Sequence, residues 1–143
     1  SEIEGLVNSF GEKLHLVSLL APRDVLEKDM EEVYGYGQYI TSTLLERWKT
    51  NPEEAPGRLI SGPWPDRIGL RNIRRLTEDK YLVYGDIIEV TSVEELTGGY
   101  VAKNPVAITI VREKDSWLID DMEEFILYKN TEYGFDFRLS TWP

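Results

Sequence analysis

The sequence of 143 residues contains no cysteine and a single histidine. Without cysteine the chain forms no disulfide, offers no thiolate nucleophile and provides no cysteine ligand for a metal. The single histidine, His15, does not build a typical zinc site by itself, and a general base normally needs an orienting partner. We therefore interpret His15 as a structural residue that is solvated or hydrogen-bonded.

Long apolar runs are also missing from the sequence. No stretch approaches the roughly 20 apolar residues that a membrane-spanning helix needs. No signal peptide is visible at the amino terminus. Because the chain begins with Ser1 and not with methionine, we expect a mature or cloned fragment whose targeting segment has been removed.

Motifs for nucleotide binding and for ester hydrolysis are absent as well. The chain has no G-x-x-x-x-G-K-[ST] phosphate loop, no G-x-G-x-x-G fingerprint and no G-x-S-x-G nucleophile elbow. Its formal net charge of -10 repels nucleic-acid phosphates and anionic lipids, and favours solubility. We therefore expect no nucleic-acid partner, no anionic lipid surface, no metal and no cofactor.

The first third of the chain shows helical periodicity. Apolar residues recur at three- and four-residue steps over residues 3–20, which predicts an amphipathic helix. Pro22 ends this helix and suits the first turn of a second one, which extends to Tyr34. A third, short helix follows, with Thr41 or Ser42 as its N-cap.

The remainder of the chain shows strand patterns after a proline- and glycine-rich loop that ends at Asp66. Alternation predicts a bulged strand from Arg67 and a long strand over residues 81–93, with Leu82, Tyr84, Ile88 and Val90 on one face. Gly98-Gly99 is a hairpin signal, and the last two strands lie within residues 100–122. Because every connection is short, antiparallel order is favoured.

These patterns predict the fold class α+β, with N-terminal helices packed on a bent antiparallel β-sheet. Residues 1–127 are predicted to form a single domain. Residues 128–143 are predicted to be a tail, which is either the start of a truncated second domain or a surface-docked remnant.

The two closing strands resemble a known fold. Their sequence, PVAITIVREKDSWLIDD, has a final strand of the form W-L-I-D after a charged turn. It is similar to cystatin-like, nuclear-transport-factor-2-like α+β cones, and the resemblance covers roughly Ser1 to Asp121. It implies helices across a strongly bent sheet and an interior that often holds small apolar ligands. It also implies an open sheet face, through which many domains of this shape dimerise.

Two further segments resemble proteins of Gram-positive bacteria. APGRLISGPWPDRI resembles a segment of clostridial-type proteins that have no established activity and look exported or membrane-attached. YKNTEYGFDFRLSTWP resembles the opening of a β-rich domain in exported bacterial proteins. The resemblance implies an extracytoplasmic or cell-envelope location, while a cytoplasmic location stays open.

Four residues of the loop before the strands form the main candidate site. Arg58, Trp64, Asp66 and Arg67 lie in a proline-braced segment. Two arginines around a carboxylate could hold an anion or the acidic side chain of a partner, with the tryptophan as an apolar surface. The alternative, which we favour, is an arginine–aspartate bridge that staples the loop while Trp64 fills the seam between helices and sheet.

Tyrosines and acidic residues are the remaining candidates. A set of five tyrosines could line the concave face of the sheet and contact a ligand there, although core packing is the default interpretation. Tyr84 is the member of this set that we assign to ligand binding. This set consists of Tyr34, Tyr36, Tyr39, Tyr81 and Tyr84. The acidic run Asp120, Asp121, Glu123 and Glu124 lacks the spacing of a calcium loop and is interpreted as a solvated strand end. Neighbouring carboxylates of this run would act as an acid/base pair only inside a pocket.

Three functions are compatible with these patterns. The favoured one is a non-enzymatic accessory or protein-interaction domain of an exported protein, which contacts another protein or a second copy through the open sheet face. The second is a binder of a small apolar ligand in the cone interior. The third is a proton-transfer enzyme, with Asp66, Asp86 or Asp120 as the acid and a tyrosine as the donor.

Overall fold

The computed structural model describes residues 1–31, 35–59 and 62–125, and the backbone of residues 127–130 and 135–138. The predicted α+β class is confirmed, because helices come first and antiparallel strands follow. The helices are α1 (Glu2–Gly11), α2 (Arg23–Glu31), α3 (Ser42–Thr50) and α4 (Ser92–Thr97), with single 3₁₀ turns at Leu14–Leu16 and Pro52–Glu54. The strands are β1 (Trp64–Thr77), β2 (Lys80–Val90), β3 (Ala102–Glu113), β4 (Ser116–Glu124), β5 (Leu127–Asn130) and β6 (Phe135–Arg138).

Strands β1 to β4 form one open antiparallel sheet in the order of the sequence. The register of β1 against β2 shifts after Pro65, after Leu70 and after Arg75, where a single bulge was predicted. A further shift lies opposite Thr109, between β3 and β4. Bulges bend a strand and increase its twist, and most of these irregularities lie between β1 and β2.

One face of the sheet is covered by helices. Val83 and Ile87 of β2 belong to the hydrophobic core, and α1 contacts both β1 and β4. Because side chains alternate along a strand, Tyr84, Ile88 and Val90 lie on the other face. Ile88 and Val90 are nevertheless buried there, and α4 contacts β2. The face away from the helices is therefore covered in part.

The first helix is shorter than its apolar pattern predicts. Helix α1 ends at Gly11, and a β-carbon at this position would lie 2.8 Å from the backbone nitrogen of Ile68. The chain then continues through the 3₁₀ turn Leu14–Leu16, which contains His15. Gly11 therefore allows the end of α1 to lie close to β1, and the apolar pattern continues into the 3₁₀ turn.

The third helix begins where the sequence indicates. The Thr41 hydroxyl accepts a hydrogen bond from the Leu44 amide at 3.2 Å and donates one to Asp120 Oδ1 at 2.9 Å. The Thr41 amide also donates to the carbonyl of Ile119 at 2.9 Å, and the amide of Ile119 donates to the Tyr39 carbonyl at 2.9 Å. Thr41 thus caps α3 and ties it to β4.

The connection between β2 and β3 differs from the predicted glycine hairpin. Strand β2 ends at Val90, and α4 follows it with a capping box between Thr91 and Glu94. Gly98 then ends α4 with a left-handed backbone, at φ 87°. The T-x-x-E pattern that begins at Thr91 is a signal for the start of a helix. Helix α4 therefore begins at a point where the predicted strand over residues 81–93 would have continued.

The predicted tail contains the antiparallel pair β5–β6, which is separate from the main sheet. The division of the chain at residues 127 and 128 stays a prediction. In the part of the chain that the structure describes, no helix combines the length and the apolar character that crossing a membrane requires.

Candidate functional site

A cavity of about 600 Å³ lies between the helix-facing side of the sheet and the loop that follows α3. Its floor is formed by Ile87 and Glu89 of β2, Asn104 of β3 and Glu124 of β4. Most of the other walls are apolar side chains, which are Leu19, Leu20, Ala55, Pro56, Leu59 and Pro65. The cavity is partly open, since Leu20 and Leu59 are 73% and 59% exposed, and it combines mostly apolar walls with a few polar groups on one side.

The strand register brings the polar floor residues together. Ile87 lies opposite Asn104, and Val106 lies opposite Glu124. Glu89 follows Ile87 by two residues, so both side chains leave the sheet on the same face. Glu89, Asn104 and Glu124 consequently share the face that carries the hydrophobic core, at the end of the sheet where that core stops.

The loop opposite this floor is fixed to the core. The Tyr36 hydroxyl is buried and donates a 2.7 Å hydrogen bond to the Pro56 carbonyl. The amide of Arg58 donates to the carbonyl of Val17 at 2.8 Å, and the amide of Leu19 donates to the Arg58 carbonyl at 2.8 Å. Burial, followed by repulsion from Glu124, holds the pKa of Tyr36 far above its ordinary value. This tyrosine therefore stays protonated and acts as a hydrogen-bond donor.

The cavity is acidic. Glu53, Glu89 and Glu124 line it, and no lysine, arginine or histidine is found among the described lining residues. Glu124 lies at the mouth and its side chain is exposed to solvent, while the adjoining walls reduce the hydration of its carboxyl group in part. This desolvation, followed by repulsion from Glu89, raises the pKa of Glu124 above the usual range of a glutamate.

An arginine beside the cavity is engaged outside it. Arg47 of α3 forms an ion pair of 2.6 Å with Asp121 and one of 3.4 Å with Glu54. The hydrogen bond to Asp121 is the main cause that raises the pKa of Arg47. A neighbouring depression contains this ion pair and shares Glu53 and Glu124 with the cavity. Arg47 therefore neutralises other carboxylates and not those on the floor.

The predicted loop group lies beside the cavity and does not line it. The guanidinium of Arg58 stacks on the ring of Trp64, 5.6 Å from its centroid. Asp66 accepts a 2.6 Å hydrogen bond from Arg67, and both side chains are partly exposed. Gly57, Leu59 and Pro65, which are the chain neighbours of Arg58, Trp64 and Asp66, line the cavity instead. Asp66 pairs with the adjacent arginine of β1 and Arg58 packs on the tryptophan, while the role of this group in binding or in stapling the loop stays a prediction.

The candidate acids are engaged with other groups. Asp66 pairs with Arg67, and Asp120 accepts the hydrogen bond from Thr41. Asp86 is buried and accepts two hydrogen bonds of 2.8 Å from Arg71. None of these three carboxylates is found among the lining residues that the structure describes.

The tyrosines serve mainly in packing, which was the default interpretation. Tyr36 is fully buried in the core, and Tyr39 lies edge-on to Phe10 at 6.2 Å. Tyr81 packs edge-on against Trp117 at 5.1 Å. Tyr84 lies on the face away from the helices, which differs from its expected position on the concave face. Tyr34 lies outside the described residues.

Sequence reasoning missed Glu89 and Asn104, and it interpreted Glu124 only as part of a solvated strand end. A signal for the first two was present. Glu89 continues the series Val83, Gly85, Ile87 along one face of β2, and Asn104 precedes Val106 on the same face of β3. A polar residue that continues an apolar alternation is typical of a site where the core gives way to a cavity.

Comparisons with protein-family models, with curated proteins and with solved structures found no match. Among the described residues, no cluster of three or more histidine, aspartate or glutamate side chains has the arrangement to hold a metal ion. The expected extracytoplasmic location therefore stays a prediction that rests on the sequence resemblance alone.

Proposed function

We propose that the protein is a cone of the nuclear-transport-factor-2-like, cystatin-like type that binds a small, largely apolar molecule in the cavity. The observation that carries this proposal is the cavity itself, at about 600 Å³. Small-molecule sites typically measure about 300–1,000 Å³ and combine mostly apolar walls with a few polar groups that orient the ligand. Glu89, Asn104 and Glu124 supply such groups on the sheet side.

The acids that the sequence predicted for proton transfer are not assembled in this cavity. A proton-transfer site needs an acid and a partner group within hydrogen-bond reach of one reacting atom. The hydroxyl of Tyr36 donates to the Pro56 carbonyl, and the three aspartates considered above are engaged elsewhere. Binding requires only the enclosure and its polar floor.

We expect a neutral apolar fluorophore, N-phenyl-naphthylamine, to bind wild-type protein saturably with increased emission. Replacing Asn104 with tryptophan, or Ala55 with phenylalanine, fills the cavity and should weaken binding about tenfold or more, since a tenfold change corresponds to about 1.4 kcal/mol. Leu96→Trp is the matched control, because Leu96 is 89% exposed on α4 and does not line the cavity.

Circular dichroism and thermal unfolding establish that each variant is folded before its affinity is compared. Two results would contradict the proposal. One is wild-type protein that leaves the emission of the fluorophore unchanged. The other is folded cavity-filling variants that bind it as tightly as Leu96→Trp does.

A second function, interaction with another protein, is supported by the outer half of β1. Residues 71–77 are exposed, and β1 is an edge strand that pairs only with β2 among the described residues. Arg74 and Arg75 lie on this exposed half of β1, in a chain whose net charge is -10. Arg67 and Arg71 of the same strand are instead paired with Asp66 and Asp86. Pairing of two copies through β1 would oppose like charges, which is unfavourable. We therefore propose an acidic, extended segment of another protein as the partner.

Fluorescence anisotropy with a labelled peptide of alternating glutamate and valine tests this second function. We expect saturable binding that weakens as salt rises, because exposed charge pairs are screened. The double variant Arg74→Glu, Arg75→Glu should abolish it, whereas Lys13→Glu, Lys114→Glu changes the net charge equally and should retain it. If a peptide of alternating lysine and valine binds as well as the acidic peptide, the arginines do not select an acidic partner, and this second function is rejected. The arginines would then serve only to protect the edge of the sheet from pairing with other chains.

A further inference from the structure

We propose that the ligand of the cavity is an organic cation, namely an apolar molecule that carries an ammonium or quaternary ammonium group. This inference rests on the proposed function and specifies the ligand class. Its basis is the cavity with its apolar walls, together with the negative charge of the carboxylates that line it. Apolar walls surround a floor with two carboxylates, Glu89 and Glu124, and Glu53 adds a third at the side.

No positive side chain balances these carboxylates within the described lining. The basic residues around the cavity are directed to other groups. Arg47 pairs with Asp121 and Glu54, and Arg58 stacks on Trp64. Lys103 precedes Asn104 on β3, so it points to the opposite face, where its Nζ lies 4.5 Å from the centroid of the Tyr100 ring.

A ligand cation would supply the missing countercharge. Opposite charges attract more strongly beside apolar walls than in bulk water, so a cation on the floor is favoured over a neutral molecule of the same shape. An anionic ligand would add to the repulsion that already exists between Glu89 and Glu124. The apolar walls bind the rest of the molecule through burial of its surface.

The inference also fixes the direction of the pH dependence. A cation prefers the ionised form of Glu124, whose pKa is raised by desolvation and then by Glu89. Affinity should therefore rise with pH as Glu124 loses its proton. The other charged groups that line the adjoining depression with Glu124 are Glu53 and Glu54 of the loop, the ion pair of Arg47 with Asp121, and Glu123 of β4. The Tyr36 hydroxyl also interacts with Glu124.

Three naphthalene probes of matched size separate the possibilities by fluorescence titration. They are the cation naphthylmethyl-trimethylammonium, its neutral carbon isostere neopentylnaphthalene and the anion naphthylacetate. We expect the cation to bind about tenfold tighter than the neutral isostere at neutral pH, as one charge pair at a partly hydrated protein surface allows. This preference should shrink at about pH 4, near the ordinary pKa of glutamate.

The double variant Glu89→Gln, Glu124→Gln should lose the preference for the cation and still bind the neutral isostere. Glu95→Gln is the matched control on α4, where Glu95 is exposed, and it should behave as wild type. If the neutral isostere binds wild type as tightly as the cation does, the inference is overturned while the proposed function stands. If no probe binds folded wild-type protein, the proposed function fails with it.

Discussion

Replacing Trp48 with alanine should reduce the free energy of unfolding by about 3–5 kcal/mol, as loss of a buried aromatic side chain does. Trp48 is fully buried at the centre of the core. Its ring stacks on Phe10 at 6.3 Å and meets Tyr36 edge-on at 5.8 Å. Because a domain is typically stable by only about 5–15 kcal/mol, this variant should lie close to the folding threshold. Urea unfolding followed by far-ultraviolet circular dichroism measures the change.

Two further variants make the test of Trp48 specific. Trp48→Phe should cost less than alanine, because it keeps an aromatic ring and removes the indole N–H, which has no hydrogen-bond partner among the described residues. Trp117→Ala should also cost less, because Trp117 is only partly buried at the edge of the core. Equal losses for Trp48→Ala and Trp117→Ala would show that Trp48 is not the centre of the core.

Replacing Gly85 with alanine should destabilise the protein by about 3 kcal/mol, the upper part of the range for overpacking. A β-carbon at Gly85 would lie 2.5 Å from the backbone carbonyl oxygen of Gly69 on β1. This oxygen is part of the paired strand, so either the β1–β2 pairing or the chain itself must shift. Urea unfolding gives the free energy, and amide hydrogen exchange in β1 and β2 shows where protection is lost.

Two other glycines are matched controls for Gly85. A β-carbon at Gly69 would lie 2.9 Å from the Cδ1 atom of Ile88, which is the end of a flexible side chain, so Gly69→Ala should cost much less. Gly5 lies in α1 with nothing near its missing β-carbon, so Gly5→Ala should stabilise the protein by up to about 1 kcal/mol. A Gly85→Ala variant no less stable than Gly69→Ala would contradict the proposed steric cause.

The helices and strands were largely predictable because their signals are local. The Thr41 cap, the polar turn between β1 and β2, and the alternation that leads into β4 each act within a few residues. The end of α1 was not predictable in the same way. At that point Gly11 lies close to Ile68, which is more than fifty residues away in the chain, and no local pattern indicates that approach.

The sequence indicated a loop that borders the candidate site, but it did not indicate the residues that form the floor of the cavity. The loop around Arg58 and Trp64 does border the cavity, but its charged side chains are directed to one another and to the tryptophan. The floor consists of Glu89, Asn104 and Glu124, which come from three strands. Their proximity depends on register, and a shift of one residue would turn each side chain to the opposite face.

The sequence by itself determined the fold class, the order of the elements and the acidic character of the surface, because periodicity, capping and charge are properties of neighbouring residues. Only the tertiary structure decided which face of β2 meets the helices, where the core stops, and which carboxylates share a cavity. These outcomes depend on the pairing of distant strands and on the desolvation of groups such as Glu124, and no local pattern encodes either one.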